Sequence, residues 1–401
     1  MTAPRIYADH AATTPLGPEA AAALHAHAGT SFNPSSLHAE GRAARAVLDA
    51  ARETVGRVLG ARGREIVFTS SGTEADNLAI AGAARAMRGR GRHIVSARTE
   101  HHAVLNALAR LREDDFEIEL LEVDSGGRLD SGAFARALRP DTILASLMLG
   151  NNEIGTIHPI AELARLARAR GVAVHVDAVQ AAPYLDLNVR NLGVDLMTVS
   201  AHKFGGPKGV GALYAREGTA LAPLIVGGSQ EHGLRAGTQN VAGIAALAAA
   251  LDAAAAARET ETARVGALRD RFERGVLGSI PEGAINAASA PRLPHISSLA
   301  ARGVAGTELL ARLDLEGVAV SAGSACTSGA VTLSHVVAAL GVPAWVERGT
   351  IRYSFGRQSS EQEVDRLLAM LPGIVGFLRV DEAFVGTTHR APVTGLLEDM
   401  S

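Results

Sequence analysis

Cysteine is almost absent from this sequence: the 401 residues contain a single one, Cys326. One thiol cannot form an internal disulfide or a cysteine-rich metal site, so we expect no bound metal and infer a reducing compartment, the cytoplasm. Clustered charge is missing as well, since the net charge at pH 7 is only -3 and basic residues form no patch. We therefore expect neither nucleic acid nor a membrane surface as a direct partner.

Long hydrophobic runs are also scarce. The most apolar one, VAGIAALAAALDAAAAA from Val241, is rich in alanine and interrupted by Asp252. Alanine has the highest helix propensity, and the aspartate suits an aqueous setting. This run predicts a helix of a soluble protein rather than a membrane span.

Short β-rich runs alternate with helix-like segments through the first two thirds of the chain; they are REIVFTS, RHIVSA, DTILASLML, GVAVHVDAVQ, DLMTVSA and VGALYA. This alternation predicts an α/β fold with a mostly parallel sheet covered by helices on both faces. A helical stretch from Val241 to about Leu277 ends the alternation. We predict a large domain over residues 15–258 and a smaller α/β domain formed by 1–14 and 259–401.

The residues just after five of these runs are polar: SSGTE, TEHH, NNE, DAVQ and SAHK. Ligands of open parallel sheets bind at the carboxyl ends of the strands. We therefore expect these five segments to converge on one binding site.

Three of the segments carry specific chemistry. In SSGTEADN, Gly72 and Thr73 open a helix after a strand, where free N–H groups and the helix dipole attract phosphate, although the same pattern also makes an ordinary N-cap. Lys203, at the end of VSAHK, could form a Schiff base, and Asp177, at the end of GVAVHVD, could hold the proton of a pyridinium nitrogen. Alone, each of these two residues is better explained as an ordinary surface lysine or a strand-end cap. Their order along the sheet favours a pyridoxal phosphate site.

The surroundings of Cys326 are unusual. Free cysteine is most often a small buried hydrophobic residue. Here SAGSACTSG surrounds the thiol with glycine, serine and alanine, which is typical of a loop. A thiol in such a place is better explained by its reactivity than by packing.

Ten motifs in order resemble the cysteine desulfurases, pyridoxal phosphate enzymes of fold type I in the class-V aminotransferase superfamily. They are YADHAATTP, FNPSSLH, EIVFTSSGTEADNLAI, TEHHAVL, NNEIGTIHPI, HVDAVQ, SAHKFGGPKGVGALY, GLRAGTQN, SAGSACTSG and IRYSFGR. The resemblance implies a mostly parallel, seven-stranded-type sheet in the large domain. The run after Cys326 resembles the group whose cysteine lies on an extended mobile loop.

The resemblance also implies how the cofactor is held. It makes Lys203 the Schiff-base lysine, Asp177 the partner of the ring nitrogen, and His101 the imidazole stacked on the ring and a candidate proton shuttle. The neighbouring His102 is expected on the surface. The remaining cofactor contacts would come from Gly72, Thr73, Ser200 and His202 at the phosphate, from Asn152 and Gln180 on the phenolic side, and from Thr238 of the other subunit of a homodimer.

For the substrate, the resemblance assigns the carboxylate clamp to Arg352, with Arg357 as a rival, and further contacts to Asn33 and Asn152. Phe32 stands before Asn33 where the family commonly has glycine. Cys326 would be the nucleophile that takes sulfur from the substrate.

The implied reaction converts L-cysteine to L-alanine and leaves the sulfur on Cys326 as a persulfide. The sulfur would then pass to an acceptor protein, either an iron–sulfur scaffold or a thiolation enzyme. Three alternatives stay open at this point: a selenocysteine lyase, an aminotransferase of small amino acids, and a non-catalytic adaptor that handles sulfur. Transamination has no need of Cys326.

Overall fold

A computed structural model describes residues 4–29, 32–322 and 333–388 of the chain, so Cys326 lies outside the described residues. The strands are β1 Ile6–Tyr7, β2 Ile66–Thr69, β3 His93–Ala97, β4 Glu117–Leu121, β5 Thr142–Met148, β6 Ala173–Asp177, β7 Leu196–Ser200, β8 Gly211–Ala215, β9 Gly283–Ile285, β10 Ile296–Ala301, β11 Val318–Ala319 and β12 Ile351–Ser354.

The helices up to the middle of the chain are α1 Pro18–Ala28, α2 Ala39–Leu59, α3 Gly72–Met87, α4 His102–Glu113, α5 Ser131–Ala137, α6 Ile160–Arg168 and α7 Val189–Leu192. They are followed by α8 Val241–Ser279, α9 Gly306–Leu315, α10 His335–Ala339, α11 Ala344–Gly349 and α12 Glu361–Thr388. Short 3-10 turns occupy Gly63–Glu65, Ala201–Lys203 and Glu231–Gly233.

Seven strands form one sheet in the order β2-β8-β7-β6-β5-β3-β4. The neighbours β7-β6-β5-β3-β4 are parallel, whereas β8 is antiparallel to both β2 and β7. The predicted fold class, with its mostly parallel seven-stranded sheet, is confirmed. Each of the six β-rich runs contains one of these strands.

Helices cover both faces of this sheet, as the alternation of strand side chains requires. Val67 and Ile94 pack into one apolar cluster with α3 and α4, whereas Phe68 and Val95 pack into a second cluster on the other face. Strands buried on two sides read as continuous apolar runs, and every residue of β5 is indeed buried. Strand β4 was not predicted, because this edge strand, EIELL, is charged and partly solvated.

A smaller unit follows the sheet. It contains the antiparallel sheet β12-β10-β9 and the parallel pair β1-β11, through which the beginning of the chain joins this unit. Its core includes Phe272, Tyr353 and Phe355. The domain boundary at residue 258 stays a prediction, because α8 continues unbroken through it.

Helix α8 has 39 residues. Among the described helices it is the one long and apolar enough to cross a membrane by length and composition. Ile244 and Leu251 pack into the core of the large sheet, while Leu268 and Val276 pack into the core of the smaller unit. These apolar residues of the helix therefore pack inside the protein.

Candidate active site

A cavity of about 330 Å³ opens at the carboxyl ends of β5, β6 and β7, where the polar segments were expected to converge. Its volume lies in the range of small-molecule sites. The sequence-predicted residues that line it are Gly72, Thr73, His101, Asn152, Asp177, Gln180, Ser200, His202, Lys203 and Arg352. The five segments thus meet in one place.

Two predicted residues lie elsewhere on the chain. Asn33 is exposed, and its Oδ1 accepts the backbone N–H of Ser35 at 2.9 Å. Thr238 is also exposed and does not line the cavity. Their roles stay predictions, as does that of Cys326, which falls outside the described residues.

The beginning of α3 forms one end of the cavity. A Cβ built on Gly72 would lie 3.0 Å from Val179 Cγ2 and 3.1 Å from Ser200 Cβ, so glycine lets the helix start directly against the strand ends. The first-turn N–H groups of a helix have no intrahelical acceptor and carry a partial positive charge. With the Thr73 and Ser200 hydroxyls beside them, they suit an anionic group such as phosphate.

Lys203 ends a 3-10 turn that directly follows β7. Its Nζ donates to the carbonyl oxygens of Ala11 and Ala12 at 2.6 and 2.8 Å. These two carbonyls come from the segment that follows β1. They hold the amine at a fixed position in the cavity wall.

Asp177 ends β6 and is buried. Its Oδ1 accepts the N–H of Val179 at 2.9 Å. Burial raises the pKa of Asp177 to about 6, although the N–H of Val179 and the charge of Lys203 act in the opposite direction. A carboxyl group with such a pKa can share a proton with a basic ring nitrogen.

Two more buried carboxyl groups lie near Asp177. Asp76 lines the cavity, and its pKa is raised well above the ordinary value by burial and by the charge of Asp177. Glu100 accepts the N–H of Met148 at 2.9 Å, and burial raises its pKa. Asp76 was not among the residues predicted from the sequence. Its spacing of four from Gly72 places both on one helix face, which is the signal that would have found it.

The buried side of Asp76 faces a histidine. Asp76 Oδ1 lies 3.5 Å from Nε2 of His175, whose other nitrogen contacts Ser146 Oγ at 2.9 Å. Burial lowers the pKa of His175 to about 3, so the ring is neutral at pH 7. A neutral histidine supplies no cation to balance the carboxyl groups, which favours the protonated form of Asp76.

His101 is the N-cap of α4, and its Nδ1 accepts the N–H of Ala103 at 3.1 Å. Burial and the nearby Lys203 lower the pKa of His101 to about 4. The neutral ring must therefore carry its proton on Nε2, because Nδ1 acts as an acceptor. His101 can thus donate a hydrogen bond from Nε2.

His102 is not the surface residue that we expected. It is half-buried, lines the cavity, and lies against His335 with ring centroids 4.7 Å apart and planes tilted by 49°. The reason is that α4 begins at His102, so its first two histidines both lie at the N-terminal end that faces the cavity. His335 Nε2 in turn lies 2.9 Å from the carbonyl oxygen of Glu100.

Arg352, on β12, is the buried cation of the cavity wall. It donates from Nη1 to the carbonyl oxygen of Asn152 and from Nη2 to Asp9 Oδ1, both at 2.8 Å. The rival Arg357 is exposed, pairs with Glu19 and does not line this cavity. The geometry thus favours Arg352 as the group that meets a ligand carboxylate.

These residues fit pyridoxal phosphate. The start of α3 suits the phosphate, Asp177 suits the ring nitrogen, and Lys203 suits the aldehyde. Three buried atoms on cavity-lining residues, Asp76 Oδ1, Asn152 Oδ1 and Arg352 Nε, have no hydrogen-bond partner within the described part of the chain. Buried polar atoms rarely stay unpaired, so a polar ligand is the expected partner.

Known proteins resemble this chain over most of its length. The family model described as aminotransferase class-V matches residues 6–367. A relative named cysteine desulfurase IscS, from Dictyoglomus turgidum, is 45% identical over 375 residues, which cover 93% of this chain and 95% of the relative.

Solved structures give the same picture. One described as a NifS-like protein superimposes with a TM-score of 0.88 at 34% identity, covering 93% of this chain and 100% of that one. Another, described as SspA in complex with cysteine, gives a TM-score of 0.78 at 31% identity, covering 88% and 100%.

Proposed function

The chain belongs to the class-V aminotransferase family, and from this premise we propose that it is a pyridoxal phosphate-dependent cysteine desulfurase. The resemblance drawn from the ten motifs is thereby confirmed at the level of the family. The reaction is the conversion of L-cysteine to L-alanine, with transfer of the sulfur to Cys326 as a persulfide. The cavity that joins Lys203, Asp177 and the start of α3 carries the proposal.

Bound pyridoxal phosphate supplies an aldehyde that links to amines and a ring that accepts the electrons released from the substrate carbon. Gly72, Thr73, Ser200 and His202 would hold its phosphate, and Asn152 and Gln180 its phenolic side. Asp177 would hold a proton at the ring nitrogen. Its carboxylate would become the charged partner of that nitrogen, which offsets the cost of burying it.

Two residues would move protons during the reaction. The Lys203 amine, fixed by the carbonyls of Ala11 and Ala12 before the substrate arrives, would take the proton from the substrate α carbon. His101 presents an Nε2–H and would donate it to substrate atoms that become negatively charged during the reaction. A neutral imidazole suits this role because it adds no competing positive charge.

Arg352 would bind the substrate carboxylate, since a guanidinium fork matches a carboxylate in shape and charge. Part of that fork already contacts Asp9 and Asn152. Asn152 and Asn33 would add polar contacts to the substrate.

Cys326 would complete the reaction as a nucleophile. Its thiolate attacks the substrate Sγ, the Cβ–Sγ bond breaks, and the electron pair of that bond stays with Cβ, which takes up a proton to become the methyl group of alanine. The added sulfur then stays on Cys326 until an acceptor protein or a thiol reductant removes it. A thiolate is required because the neutral thiol is a weak nucleophile.

Further partners follow from the same proposal. Thr238 would reach the phosphate in the site of a second copy of the chain, which makes the enzyme a homodimer. The acceptor of the sulfur would be an iron–sulfur scaffold or a thiolation enzyme, and the single thiol suits the reducing cytoplasm.

The relatives decide among the alternatives. The name of the 45% identical relative is cysteine desulfurase, and one of the matched structures holds cysteine. These findings support desulfuration over selenocysteine lysis, transamination and a non-catalytic adaptor.

The test is to incubate the purified holoenzyme with L-cysteine and dithiothreitol and to measure sulfide and alanine together. We expect the two products in equal amounts, and a keto acid without sulfide would contradict the proposal. Without reductant, mass spectrometry should find one additional sulfur on the peptide that contains Cys326. Cys326→Ser is the control, because it keeps the shape of the residue and should yield neither product.

A further inference from the structure

The amide of Gln180 has a fixed orientation. Its side-chain nitrogen Nε2 lies 2.7 Å from the carbonyl oxygen of Ala11. A carbonyl oxygen only accepts hydrogen bonds, so the atom of the amide that faces it must be the nitrogen. Lys203 Nζ donates to the same oxygen at 2.6 Å. One backbone carbonyl therefore aligns both side chains in the cavity wall.

The oxygen of the Gln180 amide accepts a hydrogen bond from His295. Gln180 Oε1 lies 3.3 Å from Nε2 of His295. Because Oε1 only accepts, His295 Nε2 carries the hydrogen and donates it. This conclusion holds whether the imidazole is neutral or charged, since both nitrogens carry hydrogen in the charged ring.

His295 itself is held in place and does not line the cavity. It is buried, and its ring stacks on Tyr184 with centroids 4.4 Å apart and planes at 24°. Its Nδ1 is buried without a hydrogen-bond partner among the described residues. The contact with Gln180 is thus the hydrogen bond that the structure gives this ring.

Burial, aided by nearby charge, keeps the His295 ring neutral. The groups whose charge acts on it are His10, Arg352, Lys203 and Arg269. Burial, together with these positive or titratable groups, lowers the pKa of His295 well below its usual value. Its donor hydrogen accordingly stays on Nε2 throughout the neutral pH range.

The contacts with Ala11 and His295 use one N–H and one Oε1 lone pair of the Gln180 amide. One N–H and one lone pair remain, and this N–H is the donor that Gln180 has left for the cavity that it lines. We propose that His295 is a positioning residue that acts through Gln180, so that Gln180 offers this N–H to an anionic oxygen of the bound cofactor. The proposal rests on the proposed function, because it requires pyridoxal phosphate in this cavity. In this proposal, His295 lies outside the cavity but determines that Gln180 presents an N–H donor, and not its oxygen, to the cofactor.

The first experiment replaces His295 by phenylalanine, which keeps a ring against Tyr184 but has no N–H. In this variant the Gln180 amide loses the partner that fixes it. A donor to an anionic oxygen favours the deprotonated form of the cofactor, so its loss should raise the pH midpoint of the visible absorption band by about one unit. The dissociation constant of pyridoxal phosphate from the apoprotein should rise by roughly tenfold.

Three further variants separate positioning from general damage. His295→Gln retains an N–H donor and should return the pH midpoint toward that of the unmodified protein. His158→Phe removes another buried histidine with an unpaired Nε2, away from Gln180, and should leave the midpoint unchanged. If His295→Phe does not fold, His295→Leu is measured in its place.

The decisive comparison is a double-mutant cycle with Gln180→Ala. Since His295 acts through Gln180, His295→Phe should shift the midpoint in the parent protein but not in the Gln180→Ala protein. An equal shift in both backgrounds, or none in the parent, would overturn the proposal. If the protein without substitutions still binds pyridoxal phosphate in that case, only the role of His295 is overturned and the proposed function stands. If it binds no pyridoxal phosphate, both the role of His295 and the proposed function are overturned.

Discussion

The guanidinium of Arg352 is paired with the carboxylate of Asp9, Nη2 to Oδ1 at 2.8 Å, in a cavity where Arg352 is expected to bind the carboxylate of the substrate. Two carboxylates would then compete for one cation. We predict that Asp9→Asn lowers KM for L-cysteine by about fivefold, which converts to on the order of 1 kcal/mol, because the substrate carboxylate no longer displaces a competing anion. Initial rates of alanine formation measure this.

The Asn152 carbonyl keeps Arg352 oriented in that variant, because its contact with Nη1 is unchanged. Arg352→Lys is the companion variant and should raise KM, since lysine cannot reproduce the fork. A higher KM in Asp9→Asn would instead mean that Asp9 orients Arg352 for the substrate rather than competing with it.

The buried carboxyl groups predict a specific pH dependence. Asp76 has a raised pKa in the folded protein and is therefore protonated at pH values where the unfolded chain is not. Folding then takes up a proton, so this group lowers the free energy of unfolding as the pH rises above the ordinary value of 3.8. Asp76→Asn removes this loss and should stabilise the apoprotein progressively as the pH increases.

The free energy of unfolding must be compared between the unmodified protein and Asp76→Asn at each pH. Buried histidines such as His175 and His158, whose pKa values are lowered, have the opposite effect on the unmodified chain below about pH 6.5. Urea unfolding from pH 5 to 8 gives the difference, whose slope can reach about 1.4 kcal/mol per pH unit for one proton. A difference that does not change with pH would show that Asp76 is ionised in the folded state.

Lysine is so rare in this chain that its covalent link to the cofactor has an unusually clean test. The sequence contains two lysines, Lys203 and Lys208, and both lie in SAHKFGGPKG. We predict that borohydride fixes pyridoxal phosphate to the unmodified protein and to Lys208→Ala, but not to Lys203→Ala. The mass of the intact protein after reduction reports the result. Retention of the added mass in Lys203→Ala would move the link to another amine.

The proposed contact of Thr238 with a second subunit can be tested by mixing two inactive variants. Lys203→Ala removes the amine, and Thr238→Glu places a negative charge against the phosphate. If each site takes Lys203 from one chain and Thr238 from the other, a mixed dimer has one intact site and one site with both defects.

Co-refolding equal amounts should therefore restore roughly a quarter of the activity of the unmodified protein, because half of the dimers are mixed and each has one good site. Mixtures of two Lys203→Ala preparations serve as the control. No recovery of activity would place both residues in the same subunit's site.

The local sequence pattern was sufficient to predict the large sheet and many of the residues that line the cavity. Asp177 ends β6 and Lys203 lies just after β7, and neighbouring parallel strands bring their carboxyl ends to one edge of the sheet, so sequence order alone predicts that the two residues meet. Gly72 can likewise be explained from the pattern of a strand followed by a helix, because a helix that starts against the strand ends leaves little space for a Cβ.

Other contacts depend on segments far apart in the chain and leave no local pattern. Asp9 meets Arg352 across 343 residues, and His295 meets Gln180 across 115. The neutral state of His101 depends on burial and on Lys203, neither of which its own motif reveals. Edge strand β4 was also not predicted, because most of its side chains are partly exposed to solvent and its sequence lacks a continuous apolar run.

Helix α8 runs without interruption from one core to the other. Its 39 residues give it a length of about 58 Å at 1.5 Å per residue. Swinging the smaller unit away from the sheet would require this rod to bend or its hydrogen bonds to break. Because both units share this helix, a hinge motion that separates them is costly. Substrate entry and sulfur export must therefore depend on movements of loops or side chains rather than of a whole domain.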